Sequence, residues 1–375
     1  RVKPAKDTNN QRGGLKVKRL LALTLAIVMG LSITGAVLAA DNEALVLQLG
    51  DRNAAVVDQE KGVNSTLVTQ DGDRNSASVE QGGDSTSALV SQTGDRNTAT
   101  VRQIGATYVQ WADHTHQSIV IQEGDGNDAS ISQTNNYHGA EASIFQYGNR
   151  NTGTIDQSGN QFAGHALIMQ FGDANYGRQV QRSYSGIGHV IAEIYQIGER
   201  NSAIQDSQVQ VNGAGEFEVY AVQIGERNSA TQSQYQGYGD RFGVTFQLGT
   251  ANTATMSQGT VGDSGIQTAI IGQLGERNIA EFTQVSGTHT GAIVQLGERN
   301  TASFEQREGT HLGATLQIGD RNTASHTQGV GTQLGTIVQL GNSNAAAFSQ
   351  SVGNNVGAAI QVGNNNSTSI TQVGN

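Results

Sequence analysis

A single pattern, Q-x-G-x-x-N-x-A-x-x-x-Q, constrains this chain more than any other feature. It is first met as Gln48, Gly50, Asn53, Ala55 and Gln59, then as Gln70, Gly72, Asn75, Ala77 and Gln81, then as Gln92, Gly94, Asn97, Ala99 and Gln103. Further units open at Gln122, Gln146, Gln170, Gln196, Gln223, Gln247, Gln273, Gln295, Gln317, Gln339 and Gln361, which makes fourteen. In every unit the Gly stands two residues, and the Asn five residues, after the opening Gln. Opening glutamines lie 22 residues apart at both ends of the array and 24 to 30 apart in its middle. Polar low-complexity tracts do not hold such offsets, which sets aside a disordered reading of the Gln- and Asn-rich composition.

Parity inside each unit sets the local structure. Thr66, Val68 and Gln70 alternate with other residues before the turn, as Asn75, Ala77, Val79 and Gln81 do after it. A period of two is that of a strand with one buried face. Each unit therefore reads as strand, tight turn, strand, and a second turn into the next unit. Two such strands cannot hold a core alone, but units stacked about 4.8 Å apart pair every backbone group with the layers above and below. The expected fold is all-β: a β-solenoid of about fourteen stacked repeats with two parallel, in-register sheets, about 65 to 70 Å long. Ala, Val and Ile fill its inward stripe.

Buried amides fit this core only as ladders in which each donates to the amide one layer up. The expected ladder residues are Gln48, Asn53 and Gln59; Gln70, Asn75 and Gln81; Gln92, Asn97 and Gln103; and, late in the array, Gln295, Asn300, Gln306, Gln317, Asn322, Gln328, Gln339, Asn344 and Gln350. Gly50, Gly72, Gly94, Gly297, Gly319 and Gly341 supply a positive φ, or room for close backbone approach, in the turns.

The outward positions differ between the two strands. On the first strand the residues flanking the opening Gln are mostly apolar, as at Phe246, Leu248, Val294, Leu296, Leu316, Ile318, Val338 and Leu340. That stripe is expected to pack laterally against another solenoid or a loop of its own chain. The second strand is polar outside, as at Ser76, Ser78 and Glu80. The turns carry acid–arginine pairs, Asp51-Arg52, Glu199-Arg200, Glu298-Arg299 and Asp320-Arg321 among them. Stacking places these in columns, where a carboxylate is expected to meet the arginine of an adjacent layer, weakly because exposed.

Composition narrows the function. The sole proline is Pro4 and there is no cysteine, so the repeats lack neither ladder donors nor freedom from disulfides and thiolate sites. Basic residues Lys16, Lys18 and Arg19 precede an apolar run from Leu20 to Leu38, closed by Ala39 and Ala40. Residues 1–40 thus read as an N-terminal extension with a cleavable secretory signal peptide, and residues 41–375 as the repeat solenoid. The run could also just span a bilayer, though Gly30, Ser32, Thr34 and Gly35 dilute it. Residues 1–40 hold seven of the 22 basic and one of the 32 acidic residues, so the remainder carries about −16. Such a body has no basic patch for nucleic acid or anionic lipid, and no membrane insertion of the mature chain is expected.

Repeats with Gln, Gly, Asn and Gln at these offsets, behind a secretory leader, resemble the curlin repeats of bacterial curli subunits across essentially all of residues 44–375. The resemblance implies passage through a curli-type outer-membrane export pore, templating by a surface nucleator, and polymerisation with itself into an extracellular fibre at the bacterial cell surface. It further implies a place in biofilm matrix, adhesion and surface colonisation. This chain has many more units than well-known curli subunits. Only Asp41, Asn42 and Glu43 separate the leader from the repeat register.

No active site assembles from the residues. His114 and His116 form the one close histidine pair and lack a third ligand. His289 and His311 recur at equivalent positions, as stacking requires. Glu123 to Asp128 is acidic and Gly-rich but lacks calcium-loop spacing. No catalytic residue, metal or cofactor is expected. The stretch between Gln103 and Gln122, with Tyr108 and Trp111, reads as a protruding loop. The alternative to a polymerising subunit is a monomeric, surface-attached β-solenoid adhesin.

Overall fold

The computed structural model describes residues 42–60, 62–83, 85–105, 116–134, 139–159, 162–183, 188–209, 216–235, 239–259 and 265–374. The leader, His114, Tyr108 and Trp111 lie outside the described residues. Among the described residues everything regular is strand: 27 strands, each pairing in parallel with the strand two places on except around the 18-residue strand Thr323–Leu340, which pairs with the strands directly before and after it as well. The pairings form two stacks, one of first strands and one of second strands. They are continuous only through Thr323–Leu340, an 18-residue strand whose first part pairs in one stack and whose last part pairs in the other. Each stack therefore has fourteen strand positions, and the chain is an all-β, parallel β-solenoid.

Register is kept by the motif throughout. Gln48 lies opposite Gln70, Gln59 opposite Gln81, Gln295 opposite Gln317 and Gln306 opposite Gln328. The longer central units keep it too, since Gln92 meets Gln122 and Gln196 meets Gln223. Like stacks on like because a one-residue slip would turn a whole buried face to solvent.

The turn after each opening Gln is built by backbone geometry. Its Gly has φ between +104° and +122° in every layer, conformations open to glycine. A Cβ on Gly297 would also overlap the carbonyl oxygen of Gly319 in the next layer. Two residues on, the chain is left-handed again, with φ of 54° to 61° at Arg52, Arg74, Arg299, Arg321, Ala174 and Asn365 among others. The turns ladder as the strands do: Gly72 N–H donates to Leu49 O at 3.0 Å, and Arg74 N–H to Asp51 O at 2.8 Å.

The core changes character along the stack. From Val68 to Ala230 it is Val, Ala and Ile, as the repeat suggests. From Ala254 onward the second strands contribute Met256, Phe282, Phe304, His326 and Phe348 instead. Their bulk is offset across the core by glycine: a Cβ at Gly291 would run into Phe282, at Gly313 into Phe304, and at Gly335 into His326. The expectation of an Ala, Val and Ile stripe therefore holds for the first half and is corrected for the second. The large–small exchange conserves volume between two facing columns, which a repeat motif written one strand at a time does not display.

Two glycine substitutions separate the turn from the sheet. Gly297→Ala should cost about 2 kcal/mol or more, through positive φ and the overlap with Gly319. Gly272→Ala, on an outward position with nothing within 4 Å of the new Cβ, should change stability by less than about 0.5 kcal/mol. Denaturant midpoints of the two variants against the parent measure the difference.

Candidate functional site

The chemistry of this chain is concentrated in three columns of buried amides. The first runs unbroken through the opening glutamines. Gln70 Nε2 donates to Gln92 Oε1 at 2.8 Å, Gln196 to Gln223 at 2.8 Å, Gln295 to Gln317 at 2.8 Å, and Gln339 to Gln361 at 2.8 Å. The second amide proton of each crosses the core: Gln295 Nε2 also donates to Ile279 O at 2.9 Å, in the other sheet of the preceding layer. Each glutamine thus ties its layer to the next and one sheet to the other.

The asparagine column works in the opposite sense. Backbone N–H of Asn322 donates to Asn300 Oδ1 at 3.0 Å, back toward the preceding layer, and Asn322 Nδ2 does so at 3.1 Å. The same Nδ2 donates forward to Gly341 O at 2.8 Å. Asn therefore satisfies the carbonyl of the turn glycine as well as its own ladder, a role its fixed spacing from that glycine makes possible. The simple amide-to-amide relay expected at Asn53, Asn75, Asn97, Asn300, Asn322 and Asn344 becomes this three-way bracket at Asn300 and Asn322, while Asn75, Asn97 and Asn344 pair through backbone N–H and Oδ1 and give Nδ2 to the next turn glycine.

The second glutamine column is interrupted. Gln59 donates to Gln81 at 2.8 Å, Gln81 to Gln103 at 2.9 Å, Gln306 to Gln328 at 2.9 Å, and Gln328 to Gln350 at 3.2 Å. The unit opening at Gln196 has Ser207 where the others have glutamine, so the Gln–Gly–Asn–Gln register is not kept in all fourteen units. Ser207 Oγ and Gln234 Oε1 are buried there without a hydrogen-bond partner among the described residues. Two residues before Ser207 a substitute begins: Gln179 donates to Gln205, and Gln205 to Gln232, each at 2.9 Å. This short ladder fills positions that hold Val, Ile, Met, Phe or, at 326, His in other layers, and separates the two halves of the core. The sequence carries its signal, three glutamines at one register position in adjacent units.

Ladder residues within the stack are buried almost completely, whereas Gln48 is exposed and Asn53 and Gln59 are half-buried in the first described layer. The turn charges do not pair as expected. Asp73 Oδ1 accepts from the backbone N–H of Asp51 at 2.8 Å, and Asp95 Oδ1 from that of Asp73 at 2.8 Å. These carboxylates close the turn backbone of the layer before, and the left-handed arginines beside them point their charge to solvent. Among the described residues the arginine ion pairs lie elsewhere, at Arg102–Glu80 (3.1 Å), Arg182–Asp156 (4.0 Å) and Arg307–Glu305 (2.8 Å). The correction has a physical cause: an orphan N–H beside the acid is a fixed partner that costs no long side chain its freedom.

Histidines join the aromatic columns. His289 and His311 stack with ring centroids 4.8 Å apart, and His326 stacks on Phe304 at 4.2 Å. His326 is buried with neither ring nitrogen hydrogen-bonded among the described residues, and desolvation holds its pKa down to about 3. Among the described residues no group of three or more His, Asp or Glu side chains is placed to hold a metal ion.

Parallel coils of laddered amides, held in one register from layer to layer, define a structural β-solenoid. The curlin associated repeat family matches residues 39–72, 64–94 and 72–105. Residues 39–105 are thus similar to curlin repeats, and the same register continues layer upon layer to Gln361. No curated protein matches the chain.

Two measurements probe the columns. Gln317→Leu removes the acceptor of Gln295 and the donor to Gln339, and should cost about 2 to 4 kcal/mol in denaturant unfolding. Position 326 should govern part of the acid response. The unfolded chain takes up a proton there below about pH 6.5 and the folded chain only near pH 3. Stability from this group is complete above pH 6.5 and falls as pH drops through that window. His326→Phe, continuing the Phe304–Phe348 column, should remove that slope, read as the variant-minus-parent difference in unfolding free energy against pH.

Proposed function

We propose that the chain is a secreted curli-like subunit that self-assembles end to end into extracellular functional amyloid fibres. In this reading residues 1–40 are the cleaved leader and residues 41–375 the assembling body, a building material and not an enzyme. A curli-type outer-membrane pore exports it, a surface nucleator templates it, and the fibre serves biofilm matrix, adhesion and surface colonisation. The single observation that supports the reading most is the unbroken first glutamine column, whose every link is the same bond at 2.6 to 2.9 Å. A layer from a second chain offers the same donors and acceptors at the same register as the next layer of the first.

The test is assembly from denaturant. Diluted chain should form thioflavin-positive fibrils after a lag, seen by electron microscopy, and preformed fibrils should abolish the lag. Gln317→Leu should slow seeded growth. A β-rich monomer that stays soluble and never seeds would overturn the proposal in favour of a monomeric adhesin.

A further inference from the structure

Charge is segregated on the outer face of the first sheet. In the first eight layers that face carries seven acids ahead of the turn glycines, Glu43, Asp71, Glu123, Glu141, Glu193, Glu216 and Glu218. Two of them bind tyrosines there: Tyr195 Oη donates to Glu193 at 2.8 Å and Tyr220 Oη to Glu218 at 3.4 Å. Burial and Glu193 push the Tyr195 phenol up to about 12. Past the turn glycines the late strands end on Glu276 and Glu298, but from Phe242 through Val362 the outward positions ahead of those glycines carry no charge. They are Leu, Ile, Val, Phe, Ala, Thr and one Gly.

Ahead of its turns this half is apolar and exposed. Leu312 is 53% exposed, Leu334 41%, Ile318 40% and Leu248 40%. It also has relief. Ala292, Ala314 and Thr336 form a shallow channel, with Leu312 and Leu334 rising on one side and Val294, Leu316 and Val338 on the other. Six layers by the outward span of a strand make a face of about 29 Å by about 20 Å. Two such faces in contact would bury on the order of 1,200 Å² in total, the lower bound of a stable protein interface.

We infer that this half of the first sheet is a lateral interface for a second copy of the chain, ridge into channel, side by side and not end to end. Charge selects the occupant. A body of about −16 repels its own kind wherever acids are displayed, and on this face they are confined to the turn edge, at Glu276 and Glu298. The channel and its flanking ridges have the layer spacing of the solenoid itself, so a second copy matches them along their whole length, as facing sheets do in dry zippers. The acid-bearing first half keeps pairing confined to the last six layers. The lateral interface expected at Phe246, Leu248, Val294, Leu296, Leu316, Ile318, Val338 and Leu340 falls wholly within this half. The inference does not depend on fibre growth, since lateral pairing uses a face and axial growth uses the end layers.

The chain has no cysteine, so single cysteines report on proximity without background. Ala314→Cys, mid-channel, should cross-link to a covalent dimer with a short bifunctional maleimide; Ser303→Cys, exposed on the second sheet, should not. Adding Leu312→Glu and Leu334→Glu to the Ala314→Cys chain should lower the cross-linked yield at least tenfold, with an unchanged β-sheet circular dichroism spectrum. Equal cross-linking at both cysteines, or none at position 314, overturns the inference. So does adsorption of an uncross-linked chain to hydrocarbon-coated beads through this face, which would assign it to an apolar solid surface. Filaments without cross-linking at 314 reject lateral pairing alone. Cross-linked dimers without filaments reject the fibre and leave the interface standing.

Discussion

A primary amide buried in a protein has two donors and an acceptor to satisfy, and failing to do so costs about 1 to 3 kcal/mol per group. This chain buries more than thirty of them along its three columns. One layer meets only part of this demand, as where Gln81 Nε2 donates to Ser65 O at 3.2 Å in the facing strand. The glutamine that links layer to layer finds its partner in the next layer, at the same register, with the same side chain. That requirement makes in-register parallel stacking the only consistent arrangement and turns the repeat into a lattice along one axis.

Other features follow from the same requirement. A turn that stacks on itself leaves no room for a side chain at its glycine, so glycine recurs in every layer. Its carbonyl is bracketed by the asparagine of the layer before, and its backbone N–H groups are closed by acids of the layer after. The core may vary more freely. Apolar columns need only conserve volume, and the passage from Val and Ile to Phe and His is matched by glycine opposite. Where the amide column does fail, at Ser207, a substitute glutamine column occupies the same and adjacent layers. The interruption shows how strictly the remaining layers obey the rule.

The outside of the solenoid is under a different constraint. Outward positions are not needed for stacking, so they can carry surface chemistry that changes along the axis. The first sheet uses this freedom to place acids and tyrosines on one half and aliphatic ridges on the other. A fibre built from such units would repeat both textures along its length.

The strands, their parity, the turn glycines and the opening-glutamine column were all legible in the sequence, because each is a local or strictly periodic requirement. The turn residues show the limit of that legibility. Asp73 looks like a partner for an arginine when read along the chain, but the nearest unmet group in space is the Asp51 N–H one layer below. Likewise the exchange between Phe304 and Gly313 joins residues in different strands and layers, and no offset in the repeat announces it. The sequence by itself determined that the chain is a stack and that the opening glutamines align along it, since a period states what must recur. Only the tertiary structure decided what each recurring group bonds to and how the two sheets share the core, because those depend on distances across layers and not along the chain.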